Sequence, residues 1–134
     1  MENSAVKGNT TELFCMAYLQ SIGGNISIPF GNQRYDLILD YCGKLYKIQI
    51  KSAKYYPHTD AITIQLTSGN SKRVKKYTDD EIDYFATYYG NTCYLVRKAE
   101  VSTKWFTLRL SPPKNKQELG IHLASEYEAE RVLN

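Results

Sequence analysis

Three polar residues on two neighbouring β-segments have the types and spacing for chemistry on a phosphate ester. Cys42 and Gly43 form a two-residue turn between two segments that alternate apolar and polar residues. This turn places Asp36 opposite Gln49. Because side chains alternate along a strand, Asp36, Gln49 and Lys51 then share one face of the hairpin.

The opposite face of the predicted hairpin is apolar and would carry Tyr35, Leu37, Leu39, Tyr46, Ile48 and Ile50. A shift of one residue would mix the two sets of side chains, so the pattern favours this register. Carboxylate and amide oxygens suit Mg²⁺, and a nearby ammonium can orient a water molecule or stabilise charge on a phosphate. The hairpin therefore indicates either a metal-dependent phosphodiesterase site or a solvated face on which Asp and Lys pair across the ladder.

Glu12 lies on a predicted helix over residues 9–22, which ends at Gly23. Two interpretations of this glutamate stay open. With Asn9 as the N-cap, Glu12 occupies N3 and can close a capping box. It also lies at the boundary of the apolar stripe, from which a side chain can reach a site beside the helix.

The other patterns predict a central mixed sheet flanked by helices, an α/β or α+β fold. A capping box from Thr78 to Glu81, followed by an apolar stripe ending at Gly90, predicts a second helix. A C-terminal helix is expected over residues 117–133. Further strands are expected over residues 26–30, 61–67, 93–96 and 105–110.

Length and composition limit the class of protein. The chain has 134 residues, 43% hydrophobic and 23% charged, which predicts a single folded domain over residues 1–134 and excludes a disordered tail protein. A net charge of +3 is too small to identify a nucleic-acid partner by itself. No apolar run approaches the roughly 18 residues of a membrane helix, so no membrane partner is expected. Three widely spaced cysteines predict reduced thiols and a cytoplasmic, intracellular location.

Two basic segments are candidates for contact with nucleic acid. Lys72, Arg73, Lys75 and Lys76 lie in a polar loop that either contacts phosphates or forms a solvated surface. Lys54, with Tyr55 and Tyr56, follows the second hairpin segment and suits phosphate contact or base stacking, although the tyrosines can equally pack over the hairpin. Trp105 and Phe106 are interpreted as core or subunit-interface residues.

Asp36, followed after twelve residues by Gln49-Ile50-Lys51 and preceded by Glu12 on a helix, resembles the PD-(D/E)XK nuclease superfamily. Tyr35-Asp36 stands where the superfamily has Pro-Asp, and Gln49 stands where it usually has Asp or Glu. The predicted order of helix, three strands, helix and strand is similar to the αβββαβ core of that superfamily. The Q-x-K motif and the C-terminal segment from Arg109 to Tyr127 are similar to the homing endonucleases associated with group I introns.

The resemblance implies a compact PD-(D/E)XK fold and Mg²⁺-dependent hydrolysis of DNA, with Mn²⁺ as the alternative ion, leaving a 5′-phosphate and a 3′-hydroxyl. It implies that Asp36 is the central metal ligand and that the Gln49 side chain and the Ile50 backbone carbonyl complete the set. Lys51 would position or activate the attacking water, and Glu12 would reach the metal through a water molecule. Gln49 carries no negative charge, which should weaken Mg²⁺ affinity.

Three functions follow from this resemblance and stay open. The first is a homing-type endonuclease acting on double-stranded DNA as a homodimer or homotetramer, because one chain presents one active site. The second is a Holliday-junction resolvase, which acts on branched DNA with the same chemistry. The third is a DNA-binding module in which Gln49 has weakened or abolished cleavage.

Overall fold

The computed structural model describes residues 3–69 and 73–134. Two α-helices lie in these ranges, α1 (Ser4–Ser21) and α2 (Ala129–Leu133), with short 3₁₀ turns at Lys98–Glu100 and Ala124–Tyr127. The strands, in chain order, are β1 (Asn25–Ser27), β2 (Leu37–Tyr41), β3 (Lys44–Ile50), β4 (Lys54–Tyr56), β5 (Ala61–Gln65), β6 (Thr67–Ser68), β7 (Lys75–Lys76), β8 (Tyr84–Tyr89), β9 (Thr92–Arg97) and β10 (Trp105–Arg109).

The main sheet has five strands in the order β1-β2-β3-β8-β9. Neighbouring strands are antiparallel except β3 and β8, which run parallel, so the sheet is mixed. Leu37 pairs with Ile48 and Leu39 with Tyr46, which confirms the register predicted for the hairpin. The turn residues Cys42 and Gly43 both have positive φ, as a two-residue hairpin turn requires.

Different layers cover the two faces of the main sheet. The helices cover one face through a cluster that contains Cys15, Leu19, Leu37, Leu39, Ile48, Ile50, Leu95 and Ala129. A second sheet, with strand order β10-β5-β4, covers the other face through Ile62, Ile64, Phe85, Val96, Phe106 and Leu108. The predicted mixed-sheet α+β class is confirmed, but the helices lie on one face of the sheet and do not flank it.

Helix α1 begins earlier than the sequence pattern predicts. The side chain of Asn3 accepts a hydrogen bond from the Val6 N–H at 2.9 Å and caps the helix, so residues 4–8 are helical as well. Asn9 is therefore not an N-cap, and the capping-box interpretation of Glu12 is wrong. Glu12 lies well inside α1, where its side chain is available to the neighbouring sheet.

The prediction of a second helix after Thr78 is wrong. Residues 79–81 form a turn, and Tyr84–Tyr89 form β8, which lies between β3 and β9 in the main sheet. Glu81 does bond back to the Thr78 N–H at 2.9 Å, so the capping-box contact forms within a turn. β8 is buried on both faces, and such a strand shows no alternation that would separate it from a helix. The predicted αβββαβ order accordingly lacks its second helix.

Other boundaries also differ from prediction. The expected C-terminal helix over residues 117–133 is helical only at the 3₁₀ turn and at α2. The segment 61–67 is divided between β5 and the small β6–β7 sheet, and the segment 26–30 is a strand only over Asn25–Ser27. Neither α-helix of the described residues is long and apolar enough to cross a membrane. The strands expected near residues 93–96 and 105–110 are confirmed as β9 and β10.

Candidate active site

The candidate site lies at the open end of the β2–β3 hairpin, where β3 extends beyond its partner. The Asp36 N–H donates to the Ile48 carbonyl at 2.8 Å, which is the last backbone bond of the pair. One residue pair further on, the Asp36 carboxylate replaces the missing backbone acceptor, and its Oδ2 accepts from the Ile50 N–H at 2.7 Å. Because the N–H and carbonyl of a strand residue point the same way, the Ile50 carbonyl also points toward Asp36.

Gln49 and Lys51 project from β3 on the face opposite the buried Ile48 and Ile50, as predicted. Both polar side chains are half-buried. The Lys51 Nζ donates to the Thr67 carbonyl at 2.9 Å and lies 4.9 Å from the centre of the Tyr77 ring. These contacts hold the ammonium beside the site.

Glu12 approaches the same place from α1. Its carboxyl group lies close enough to the Asp36 carboxyl group for each to shift the pKa of the other. The preceding residue, Thr11, has its hydroxyl 3.4 Å from that of Ser52, so α1 also contacts the chain immediately after Lys51. The structure therefore brings Glu12 of α1 beside Asp36 and Lys51 at the open end of the β2–β3 hairpin.

Burial shifts the titration of all three groups. It raises the pKa of Asp36, although the Ile50 N–H, the neighbouring Glu12 carboxyl group and Lys51 each oppose this rise. Burial and the nearby Asp36 charge raise the pKa of Glu12. Burial also lowers the pKa of Lys51, with Asp36 opposing that shift and Arg34 adding to it. Two carboxyl groups in contact therefore share a site that favours a proton or a cation between them.

The chemistry of the donor atoms fits a hard divalent cation. Asp36 and Glu12 offer carboxylate oxygens, Gln49 an amide oxygen and Ile50 a backbone carbonyl, and such oxygens are the ligands that Mg²⁺ prefers. Among the described residues, no group of three or more His, Cys, Asp and Glu side chains could hold a metal ion. The site thus has two carboxyl groups and places a neutral amide at Gln49.

Arg34 is a residue of this region that the sequence analysis did not select. Its guanidinium carbon lies 4.0 Å from the centre of the Tyr77 ring, and its Nη1 donates to the Ser68 hydroxyl at 3.0 Å. Its Nη2 donates to the Lys76 carbonyl at 3.1 Å, and its Nε lies 3.3 Å from the Glu81 carboxylate. The sequence signal was available, because the hairpin register extended by two residues places Arg34 opposite Lys51.

Arg34 holds the small β6–β7 sheet, and with it part of the predicted basic segment, beside Lys51. Thr67 pairs with Lys76 and Ser68 with Lys75, so both lysines lie one strand away from the Lys51 contact. Lys75, Lys76 and Arg73 are exposed, whereas Lys72 lies outside the described residues. Lys54 begins β4, with its Nζ 5.3 Å from the centre of the Tyr56 ring. Contact of these residues with DNA stays a prediction.

Comparison with known proteins identifies the class. A family model described as PD-(D/E)XK endonuclease matches residues 2–130. The chain therefore belongs to the PD-(D/E)XK endonuclease family and is a nuclease, and such nucleases generally use divalent metal ions.

Among solved structures, the chain is similar to a bacterial homing endonuclease, I-Ssp6803I, with a TM-score of 0.72 and 17% sequence identity. The alignment covers 99% of this chain and 91% of that chain. At this identity the likeness shows a shared fold. Curated protein sequences give no match.

Proposed function

We propose that the chain is a Mg²⁺-dependent DNA endonuclease of the homing type, with Mn²⁺ as the alternative ion. The observation that carries this proposal is the pair of neighbouring carboxyl groups, Glu12 and Asp36, at the end of β3 beside Lys51. Two acids in contact are unfavourable unless a proton or a cation lies between them. Family membership favours the cation, and the nuclease fold favours a phosphodiester substrate.

Each residue has a proposed role. The Ile50 N–H fixes one oxygen of Asp36, which leaves the other oxygen for the cation. Gln49 and the Ile50 carbonyl supply neutral oxygens, and Glu12 acts beside Asp36. A bound divalent cation would polarise the phosphate and neutralise the charge that develops on it.

Lys51 is proposed to position or deprotonate the attacking water. The Thr67 carbonyl fixes its Nζ, which orients the amine without neutralising it. Burial lowers the pKa of Lys51, so a larger fraction of the amine is neutral than for an exposed lysine. A neutral amine can accept a proton from water, and an ammonium can orient the same water.

The test is a nicking and cleavage assay on supercoiled, linear and four-way-junction DNA with Mg²⁺ or Mn²⁺. Asp36→Ala should abolish metal-dependent cutting. Asp40→Ala is the matched control, because Asp36 directly precedes β2 and Asp40 lies on the same face at the opposite, exposed end of that strand. Cutting that persists in Asp36→Ala would contradict the assignment.

The choice of DNA substrate separates the homing type from a junction resolvase. Cutting of duplex DNA at one sequence supports the homing type, to which the similarity with I-Ssp6803I adds support. Preferential cutting of four-way junctions, whatever their sequence, would assign the chain to the resolvases. One site per chain favours a homodimer or homotetramer that places two sites on the two strands. The exposed Cys42 thiol favours action inside the cell, where thiols stay reduced.

Gln49 supports a second candidate function, that of a DNA-binding module with weakened cleavage. The amide lies where a carboxylate would raise the charge of the site, so affinity for the metal should be low. Gln49→Glu tests this directly. If the amide limits activity, the variant should cut DNA at a lower Mg²⁺ concentration than the natural chain. DNA binding without cutting, in both proteins and with either metal, would support the binding module.

A further inference from the structure

The second sheet has an outward face that is exposed at Lys54, Tyr56, Trp105 and Thr107 and half-buried at Thr63, Gln65 and Arg109, whereas its remaining position, Ala61, is buried. Ile62, Ile64, Phe106 and Leu108 point inward to the core, so the alternate positions point away from it. The pairing of the three strands sets these positions in rows: Lys54 beside Thr63 and Thr107, and Gln65 beside Trp105. We call this set, together with Tyr56 and Arg109, the outer face.

The outer face has the composition of a surface that contacts nucleic acid. It presents amide, hydroxyl and cationic side chains, and none of its outward positions carries a carboxylate. The Thr63 and Thr107 hydroxyls lie 2.9 Å apart across the strands. Trp105 is 53% exposed, whereas its neighbour Phe106 is buried. Of the two interpretations, core or subunit interface, Phe106 fits the core, and a subunit-interface role for Trp105 stays a prediction.

The outer face is continuous with the candidate active site. Lys54 follows Lys51 by three residues, which is at most roughly 10 Å of chain. The Gln65 side-chain amide donates to the Thr67 hydroxyl at 3.0 Å, and the carbonyl of Thr67 accepts from the Lys51 ammonium. A duplex with its phosphate at Lys51 would therefore extend over the outer face.

The width of the second sheet also fits the major groove of duplex DNA. The axes of the two outer strands of a three-stranded sheet are about 10 Å apart, because neighbouring strands are spaced by about 4.8 Å. The major groove of B-DNA is about 12 Å wide and admits β-ribbons. Threonine, glutamine, lysine and arginine are side chains that bind base edges there.

We propose that the outer face reads base edges in the major groove of duplex DNA, with Gln65 and Thr107 as specificity residues. Lys54 and Arg109 add positive charge that the phosphates attract. This inference rests on the proposed nuclease function and names the surface that would choose its target.

The experiment selects bound duplexes from a library of randomised sequences, with no divalent metal present so that the DNA stays intact. The natural chain, Gln65→Ala and Thr107→Val are compared, each shown to be folded by circular dichroism. Gln20→Ala, at an exposed position of α1, is the matched control. Metal-dependent nicking of supercoiled DNA is measured separately for every protein.

The natural chain should enrich one sequence motif. Each outer-face variant should lose roughly tenfold to a hundredfold of its preference at particular base pairs, whereas Gln20→Ala should not. Variants that keep the motif unchanged, or that weaken binding equally for all sequences, would overturn the inference. If nicking persists in those variants, the nuclease function stands and the reading face alone is wrong.

Two other outcomes would also overturn the inference. A natural chain that nicks DNA but enriches no motif would overturn the reading face. A natural chain that neither binds nor nicks DNA would overturn the proposed function as well. Trp105→Ser tests self-association: a change of oligomeric state, measured by analytical ultracentrifugation, without a change of motif would assign the face to a second copy of the chain.

Discussion

The main sheet contains two hairpins with similar backbones and different properties. β2–β3 turns at Cys42 and Gly43, and β8–β9 turns at Gly90 and Asn91. All four turn residues have positive φ. The inner strands β3 and β8 lie side by side and parallel. One hairpin nevertheless ends in the candidate active site, whereas the other is almost entirely core.

Burial explains the difference. β2–β3 is covered by α1 on one face, and its other face is half-buried or exposed and carries the polar residues Asp40, Lys47 and Gln49 with Ile38 and Leu45 among them. β8–β9 lies between the helices and the second sheet, so both of its faces pack against apolar residues. A hairpin with one polar face can present reactive groups, and a hairpin buried on both faces supplies the stability that holds them in place.

Among the variants that test this contrast between the hairpins, Lys51→Ala has the largest expected effect. Loss of the amine should reduce cleavage by roughly 10²- to 10⁴-fold, the usual contribution of a positioned acid or base. The free energy of unfolding should change little, because Lys51 is only half-buried at the open end of β3. Cleavage rates and urea unfolding measure the two effects separately.

Lys44→Ala is the control for Lys51→Ala, because Lys44 begins β3 at the turn and is exposed, whereas Lys51 directly follows the other end of β3. It should retain full cleavage. If Lys51→Ala unfolded the protein, the lysine would be a structural residue and the functional contrast between the hairpins would fail.

Phe85→Ala tests the other hairpin. Phe85 is fully buried in β8 and packs edge-on against Tyr77. The variant should lose about 3–5 kcal/mol of the free energy of unfolding through the lost transfer energy and the cavity. Leu45→Ala, at a largely exposed position of β3, should lose within about 0.5 kcal/mol. Equal losses of the free energy of unfolding, measured with urea, would show that the two hairpins contribute equally to stability.

The contrast also explains which parts of the fold could be predicted. The β2–β3 register followed from alternation, and the structure has Leu37 opposite Ile48 as expected. In β8 and just before it, the residues Ile82, Phe85, Ala86 and Tyr89 fit a helical stripe by coincidence, because both faces of the strand are apolar. The aromatic and β-branched run Tyr84–Tyr89 and the Gly90-Asn91 turn favoured a strand, and these signals were outweighed by the capping box at Thr78.

The candidate site was predictable only in part, for a related reason. Asp36, Gln49 and Lys51 lie on one hairpin, so local alternation was enough to group them. The Glu12–Asp36 contact depends on how α1 packs on the sheet, which local pattern does not determine. The role of Arg34 required the β6–β7 sheet, whose two-residue strands leave almost no pattern in the sequence.

Asp36→Asn sharpens the comparison by separating function from stability. Because burial raises the pKa of Asp36, its contribution to stability is lost as pH rises from the unfolded-state value through the folded-state value. Asparagine keeps an acceptor for the Ile50 N–H but carries no charge. The variant should therefore be more stable than the natural chain at neutral pH without metal, and this advantage should shrink in acid.

Mg²⁺ should make the natural chain more stable than Asp36→Asn. A ligand that binds only the folded state stabilises it, by about 2.7 kcal/mol at roughly 100 times its Kd. Thermal unfolding with and without Mg²⁺ should show this gain in the natural chain and little in Asp36→Asn. Equal stabilisation of both proteins would show that Asp36 does not hold the metal.

The smallest expected effect concerns the two turns. Asparagine tolerates positive φ better than cysteine, so Cys42→Asn should raise the free energy of unfolding by roughly 0.5 kcal/mol, and Asn91→Cys should lower it by a similar amount. Urea unfolding under reducing conditions measures both. If the two variants change the free energy of unfolding in opposite directions, asparagine is favoured over cysteine at positive φ in both turns. Burial then accounts for the difference between the hairpins. Equal signs would mean that contacts of the side chains at the turns also contribute.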